Sequence, residues 1–343
     1  MQKCNVVKAK LKFVDSFPTN YIHPIFKITE DSVEYTYTIE HSNLYLIIDI
    51  TSNVEIPYKL LWDKSVDLLK LYNFLRGYFP TFEMLNFYIK DDDSGTIHLP
   101  GKCLNNMTSH YSTESFYNTF DFRISLNNLE DVFRRWLELN KKLSFANNVY
   151  FSATSNSPMP KDLSFSLIIQ LFEEINIYLK NRQNTSDDKT DEDKRALKNH
   201  IKNLIDRDQT WNEELFTKAE VKDFICRTIL TYFKTNKTLR ECLNQAISNY
   251  GEDIFQIEYS SVEPNKFLTK LVESRNKIFH IDGSKQNTLK NAEYTAYCMK
   301  FSLLYRRVII KQLLHDFNFN TDIQKYYITL IDKWICRECG END

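Results

Sequence analysis

The chain has 343 residues, of which 42% are hydrophobic and 26% charged, the make-up of an ordinary globular protein and long enough for two domains. A formal net charge of −2 excludes binding of nucleic acid through overall basicity, so any RNA contact has to be local or assembled from two chains. No run approaches the roughly 20 apolar residues of a membrane helix. The opening MQKCNVVKAKLKFVDSF lacks a signal peptide's continuous apolar core, and seven scattered cysteines suit a reducing compartment, so a cytoplasmic location without a membrane partner is expected.

The first third alternates. VEYTYTIE (Val33 to Glu40) and LYLIIDI (Leu44 to Ile50) carry the β-branched and aromatic residues of strands around a polar HSN turn. LNFYIKDDDSGTIHL reads as two strands about an Asp-Ser-Gly turn, and FDFRISL as another alternating stretch. The aromatic runs YIHPIF and LYNFLRGYF are assigned to core packing. LEDVFRRWLELNKKL (Leu129 to Leu143) changes to a helical period, with Val132, Phe133, Trp136, Leu137 and Leu143 as its stripe.

The turn-rich SATSNSPMPKD (Ser152 to Asp162) predicts a boundary between a β-rich domain, 1–155, and a helical one, 156–343. LSFSLIIQLFEEINIYLKN is apolar almost all round, as a central core helix is. NRQNTSDDKTDEDK (Asn181 to Lys194) reads as a solvated, charged loop. Further helices are predicted at about 196–206, 212–233, 237–249, 263–281, 288–316 and 322–335, and the fold class that results is α+β.

LVESRNKIFHIDG (Leu271 to Gly283) carries the chemistry. At about 100° per residue, Leu268, Leu271, Val272, Ile278 and Phe279 form an apolar stripe with Arg275 near its centre. Asn276 lies about 100° and His280 about 140° round from Arg275. Gly283 suits the left-handed position that closes a helix, and a helix C-terminus favours a protonated imidazole. RALKNH repeats the spacing with Arg195 and His200, but there the stripe is Leu197, Ile201, Leu204 and Ile205 and the arginine points away from it. An inward arginine can also be a structural ion pair. Glu174, bordering the Leu171, Ile175, Tyr178 face, is its candidate supporting partner, with Glu173 pointing more nearly away.

ESRNKIFH, an Arg-Asn-x3-His motif late in a helical C-terminal region, resembles the HEPN superfamily. The layout is similar to the ApeA-like HEPN proteins of antiphage defence, which place a β-rich domain before such a helical domain. The resemblance implies an HEPN-type bundle over about 155–343 and a sensor or regulatory role for the β-rich domain, where a phage-derived trigger would act. It implies a metal-independent endoribonuclease, a homodimer with both motifs facing one cleft, and a toxin-like role in abortive infection, with RNA (tRNA among the candidates) as substrate. Arg275, His280 and Asn276 are then the catalytic residues. RNA supplies its own 2′-OH nucleophile, imidazole exchanges protons near neutrality, guanidinium neutralises the phosphorane, and Asn276 bonds the phosphate or orients His280. No cofactor and no metal are expected. The alternative is a non-catalytic HEPN-like module that dimerises or binds a partner or RNA.

Other motifs carry less. Cys336 and Cys339 in CREC make half a zinc site with no second pair, and no catalytic metal is assigned to them. YRRVIIK (Tyr305 to Lys311) offers Arg306, Arg307 and Lys311 either as guides for an RNA backbone or as a solvated helix face. The sequence contains no P-loop, no G-x-G-x-x-G and no H-E-x-x-H, which argues against an NTPase, a dinucleotide enzyme or a zincin.

Overall fold

The computed structural model describes residues 5–14, 25–41, 45–77, 81–89, 96–100, 128–154, 159–183, 191–207, 217–224, 237–261, 264–280, 288–315 and 322–340. Six strands form one antiparallel sheet: β1 (Asn5–Val14), β2 (Ile25–Glu30), β3 (Val33–His41), β4 (Tyr45–Pro57), β5 (Thr81–Tyr88) and β6 (Thr96–Pro100), in the order β2-β3-β4-β1-β5-β6. The β2–β3 hairpin turns on Asp31 and Ser32, at φ 47° and 68°. Positive φ at both turn residues matches the right-handed twist of the strands it joins.

The two-residue period puts Ala9, Leu11, Phe13, Phe26, Ile28, Tyr35, Tyr37, Ile39, Leu46, Ile48, Ile50, Leu85 and Phe87 in the core. Helix α2 (Leu129–Lys142) covers part of that face. Phe26 stacks on Tyr37 at 4.9 Å, and Phe133 of α2 meets both rings edge-on at 5.8 and 5.2 Å. Helix α1 (Tyr58–Arg76), which the sequence reading does not anticipate, fills the β4–β5 connection. Gly77 ends it at φ 92°, with its N–H on the Asn73 carbonyl at 2.6 Å, the left-handed closure that glycine adopts without steric cost.

Past the sheet the chain is helical: α3 (Ser144–Thr154), α4 (Lys161–Gln183), α5 (Asp191–Arg207), a helical stretch at 218–224, α6 (Leu239–Tyr250), α7 (Gln256–Ser261), α8 (Pro264–His280), α9 (Asn291–Leu313) and α10 (Asp322–Gly340). The α+β class and the β-then-α order agree with the expectation. The charged segment is shorter than expected, because Asn181–Gln183 still belong to α4 and α5 begins at Asp191. FDFRISL lies outside the described residues, as does most of the expected 212–233 helix. Helix α7 is unanticipated, being too short to show a period.

The innermost helix is α9, buried on nearly every side. Phe165 and Phe172 of α4 meet Tyr294, Phe301 and Tyr305 of α9 edge-on, at 5.5 to 6.4 Å. One apolar core runs from the sheet into this bundle. Phe74 of α1 packs with Trp136, Tyr150, Phe151 and Tyr305 at 5.0 to 6.0 Å. A polar chain runs alongside: Tyr305 donates to Asn147, Asn147 to Asn140 and Asn140 to the Asp67 carboxylate, at 2.9, 2.9 and 3.2 Å. Burial raises the Asp67 carboxyl above its ordinary range.

Candidate active site

Helix α8 starts with Pro264, whose missing N–H is no loss in a first turn. It buries Phe267, Leu268, Leu271 and Ser274, with Val272 and Ile278 partly covered. Two ties fix it to the start of α9. The Ser274 hydroxyl donates to the Lys270 carbonyl at 2.7 Å and accepts the Leu289 N–H at 2.8 Å. The Lys270 ammonium meets both oxygens of Glu293 at 2.8 and 3.0 Å, while Glu293 accepts the Lys290 N–H at 2.7 Å. Ser274 is adjacent to Arg275, so these ties set the pitch and rotation at which the arginine is presented.

Arg275 is partly buried at the margin of the packed face, one step from the central position that the stripe predicts. Phe279, expected in the core, is 42% exposed. The guanidinium carbon lies 4.8 Å from the Phe279 ring centre, a cation–π stack. Nη1 donates to the Asn276 side-chain oxygen at 2.9 Å, and Nη2 to the Gln170 side-chain oxygen at 2.6 Å. Nε is buried without a hydrogen-bond partner among the described residues. Behind the arginine, the Gln170 amide nitrogen donates to the Glu173 carboxylate.

The anticipated Arg275–Glu174 ion pair is corrected: the group on Arg275 is the neutral amide of Gln170. Glu174 is exposed and lines a different cleft of about 590 Å³ with Arg135, Glu138, Lys142, Tyr178 and His315. The residue that stands behind the arginine is Glu173, reached through the glutamine.

His280 is the last residue of α8, five positions after Arg275. Its imidazole and Gly283 lie outside the described part. Asn276 is partly exposed and engaged with Arg275, which ties two residues of the motif to each other. The equal-spaced His200 is exposed on α5, and the Arg195 side chain lies outside the described part.

The reading of Arg306 and Arg307 as guides for RNA is overturned: both are buried. Arg306 donates to the carbonyls of Phe74 and Leu75 at 3.0 and 3.4 Å, satisfying the C-terminal end of α1. Arg307 is 2% exposed and holds both oxygens of Asp253 at 2.5 and 2.8 Å, the Gln324 oxygen at 2.6 and 3.1 Å and the Tyr250 carbonyl at 3.1 Å. Lys311 donates to the His315 carbonyl. In CREC, Cys336 is exposed and the Cys339 side chain lies outside the described part. No helix among the described residues is long and apolar enough to cross a membrane.

Residues 167–318, from within α4 to just past α9, match the family model described as Apea-like HEPN, and the matched stretch includes Gln170, Arg275, Asn276 and His280. No curated protein and no solved structure matches the chain.

Proposed function

We propose that this protein is an endoribonuclease that cleaves RNA by attack of the 2′-OH, without a metal, as a toxin-like effector of abortive infection. The observation that carries the reading is the state of Arg275. A guanidinium has five N–H donors and a fixed charge. Here two donors meet neutral oxygens, none of its partners among the described residues is a carboxylate, and the group remains partly open to solvent. A half-open, uncompensated guanidinium is a receptor for an anion, and the phosphate of RNA is the anion that the family points to. As charge builds on the phosphorane, Arg275 neutralises it. His280 serves as general acid or base, and Asn276 steadies Arg275.

On one helix Arg275 and His280 diverge by about 140°, too far to hold a single phosphate. The proposal therefore includes a homodimer in which two copies of α8 face one cleft, with the exposed Phe279 as apolar surface for the second copy to cover. The β-rich region is proposed to sense a phage-derived trigger and to raise a basal cleavage activity when the trigger engages it.

The test uses purified protein, RNA and a chelator. Cleavage should persist, leaving a 2′,3′-cyclic phosphate and a 5′-OH, and DNA should be inert. His280→Ala should remain folded and lose roughly 10²-fold or more in rate. Activity that requires Mg²⁺, or a His280→Ala protein as fast as wild type, overturns the reading. So does a light-scattering monomer with full activity for the dimer.

A further inference from the structure

We propose that Gln170 is the positioning residue that keeps Arg275 available to phosphate, and that its neutrality is the property that matters. This rests on Arg275 being the phosphate-contacting group. Gln170 lies on α4, more than a hundred positions before Arg275, and its side-chain oxygen takes the Nη2 hydrogen bond at 2.6 Å. An amide presents an oxygen or an NH₂ with nearly equal shape, so something has to fix which end faces the cation. Glu173, one turn on, does so. Its carboxylate accepts from the Gln170 nitrogen, which leaves only the oxygen to face Arg275.

The arrangement separates two jobs that a carboxylate in the same place would merge. A glutamate at 170 would hold the arginine more tightly, but it would also neutralise it. A carboxylate–guanidinium pair satisfies two donors and cancels the charge that a phosphate needs. The amide holds without cancelling, and the negative charge stays one side chain farther away. Phe279 completes the cradle by stacking on the guanidinium without competing for its donors. Asn276 is the other contact, again an amide oxygen.

The test moves the carboxylate without changing composition or net charge: Gln170→Glu together with Glu173→Gln. Wild type and this exchange variant are compared for binding of a single-stranded 2′-O-methyl RNA oligonucleotide, which cannot be cleaved, over a range of salt, and for cleavage of the unmodified oligonucleotide. A thermal melt checks that both are folded. The exchange should weaken binding about tenfold or more and make the slope of log K against log salt shallower by about 0.7, the loss of one phosphate contact on a single strand. Cleavage should fall at least as far, and the melting temperature should hold or rise. A folded variant that binds with wild-type affinity and salt slope overturns the inference, even where cleavage by the wild type upholds the ribonuclease reading. A wild type that binds without cleaving, and loses binding on exchange, upholds the inference and removes the ribonuclease reading. A wild type that neither binds nor cleaves overturns both.

Discussion

Arg275 and Arg307 are the same side chain in the same bundle, one helix apart, and their surroundings differ in kind. Arg307 is sealed in the core and chelated by a carboxylate, a side-chain amide and a backbone carbonyl. Arg275 sits at a margin, stacked on a half-exposed ring and held by amide oxygens, with a buried Nε that has no hydrogen-bond partner among the described residues. A buried guanidinium whose charge is matched is a fastener. One whose charge is left unmatched and partly open to solvent has donors to spare. Charge compensation separates the two more sharply than burial does.

The difference predicts opposite phenotypes. The largest effect is Arg275→Ala, which should abolish RNA cleavage, since nothing else described beside it supplies a fixed charge. Its stability should fall by only about 1 kcal/mol, the worth of partly solvated hydrogen bonds. A denaturant midpoint far below wild type would show that Arg275 is a fastener after all. Arg307→Ala should do the reverse. Asp253 is 45% exposed and can rehydrate, which softens the loss. Gln324 and the space vacated by the side chain cannot be compensated, so about 3 kcal/mol is expected from urea titration. Where the protein stays folded at low temperature, its cleavage rate per folded molecule should match wild type.

A subtler effect lies at Glu258. Its carboxyl is raised from the ordinary value of 4.5 chiefly by burial, against the opposing pull of Lys300. Lys300 is fully buried between Glu258 at 2.6 Å and Asp332 at 2.5 Å, and the second oxygen of Glu258 has no hydrogen-bond partner among the described residues. Because the folded pKa lies above the unfolded one, the folded state holds a proton that the unfolded chain releases. Stability from this group is complete below 4.5 and is lost as pH rises through the folded value. The difference in urea midpoint between Glu258→Gln and wild type should therefore change with pH above 4.5, in favour of the variant. A pH-independent difference would overturn the raised carboxyl at Glu258. The smallest effect is His200→Ala, which should leave rate and stability unchanged, since its ring is exposed on α5 and only the spacing is shared with the motif.

The sequence made α8 legible because a 3.6-residue period over its 17 residues leaves little choice of face. The arginine on that helix, followed by Asn and His, is visible for the same reason, although it lies at the margin of the packed face and not at its centre. Its holder is not. Gln170 carries no charge and lies on a helix far away in sequence, and a search for a carboxylate leads to Glu174 on the wrong flank. Arg306 and Arg307 had a signal of their own. Their neighbours Leu303, Leu304, Val308, Ile309 and Ile310 surround α9 with apolar surface, so two charges there had no solvated face to occupy. Helix α1 also had one, with Leu61, Leu68, Tyr72 and Leu75 at helical spacing before Gly77, but flanking strands pull a local reading toward β.

Arg306 also bears on modularity. Its guanidinium completes the end of a helix that belongs, in sequence, to the other half of the chain. A gene cut near residue 155 separates the donor from its acceptors and leaves a cation in the bundle's interior facing missing carbonyls. Grafting this helical half onto a different N-terminal domain therefore requires the new partner to bring a helix terminus to the same spot. In lineages that shuffle such halves, the pair formed by α1's final turn and Arg306 should travel as one inherited unit.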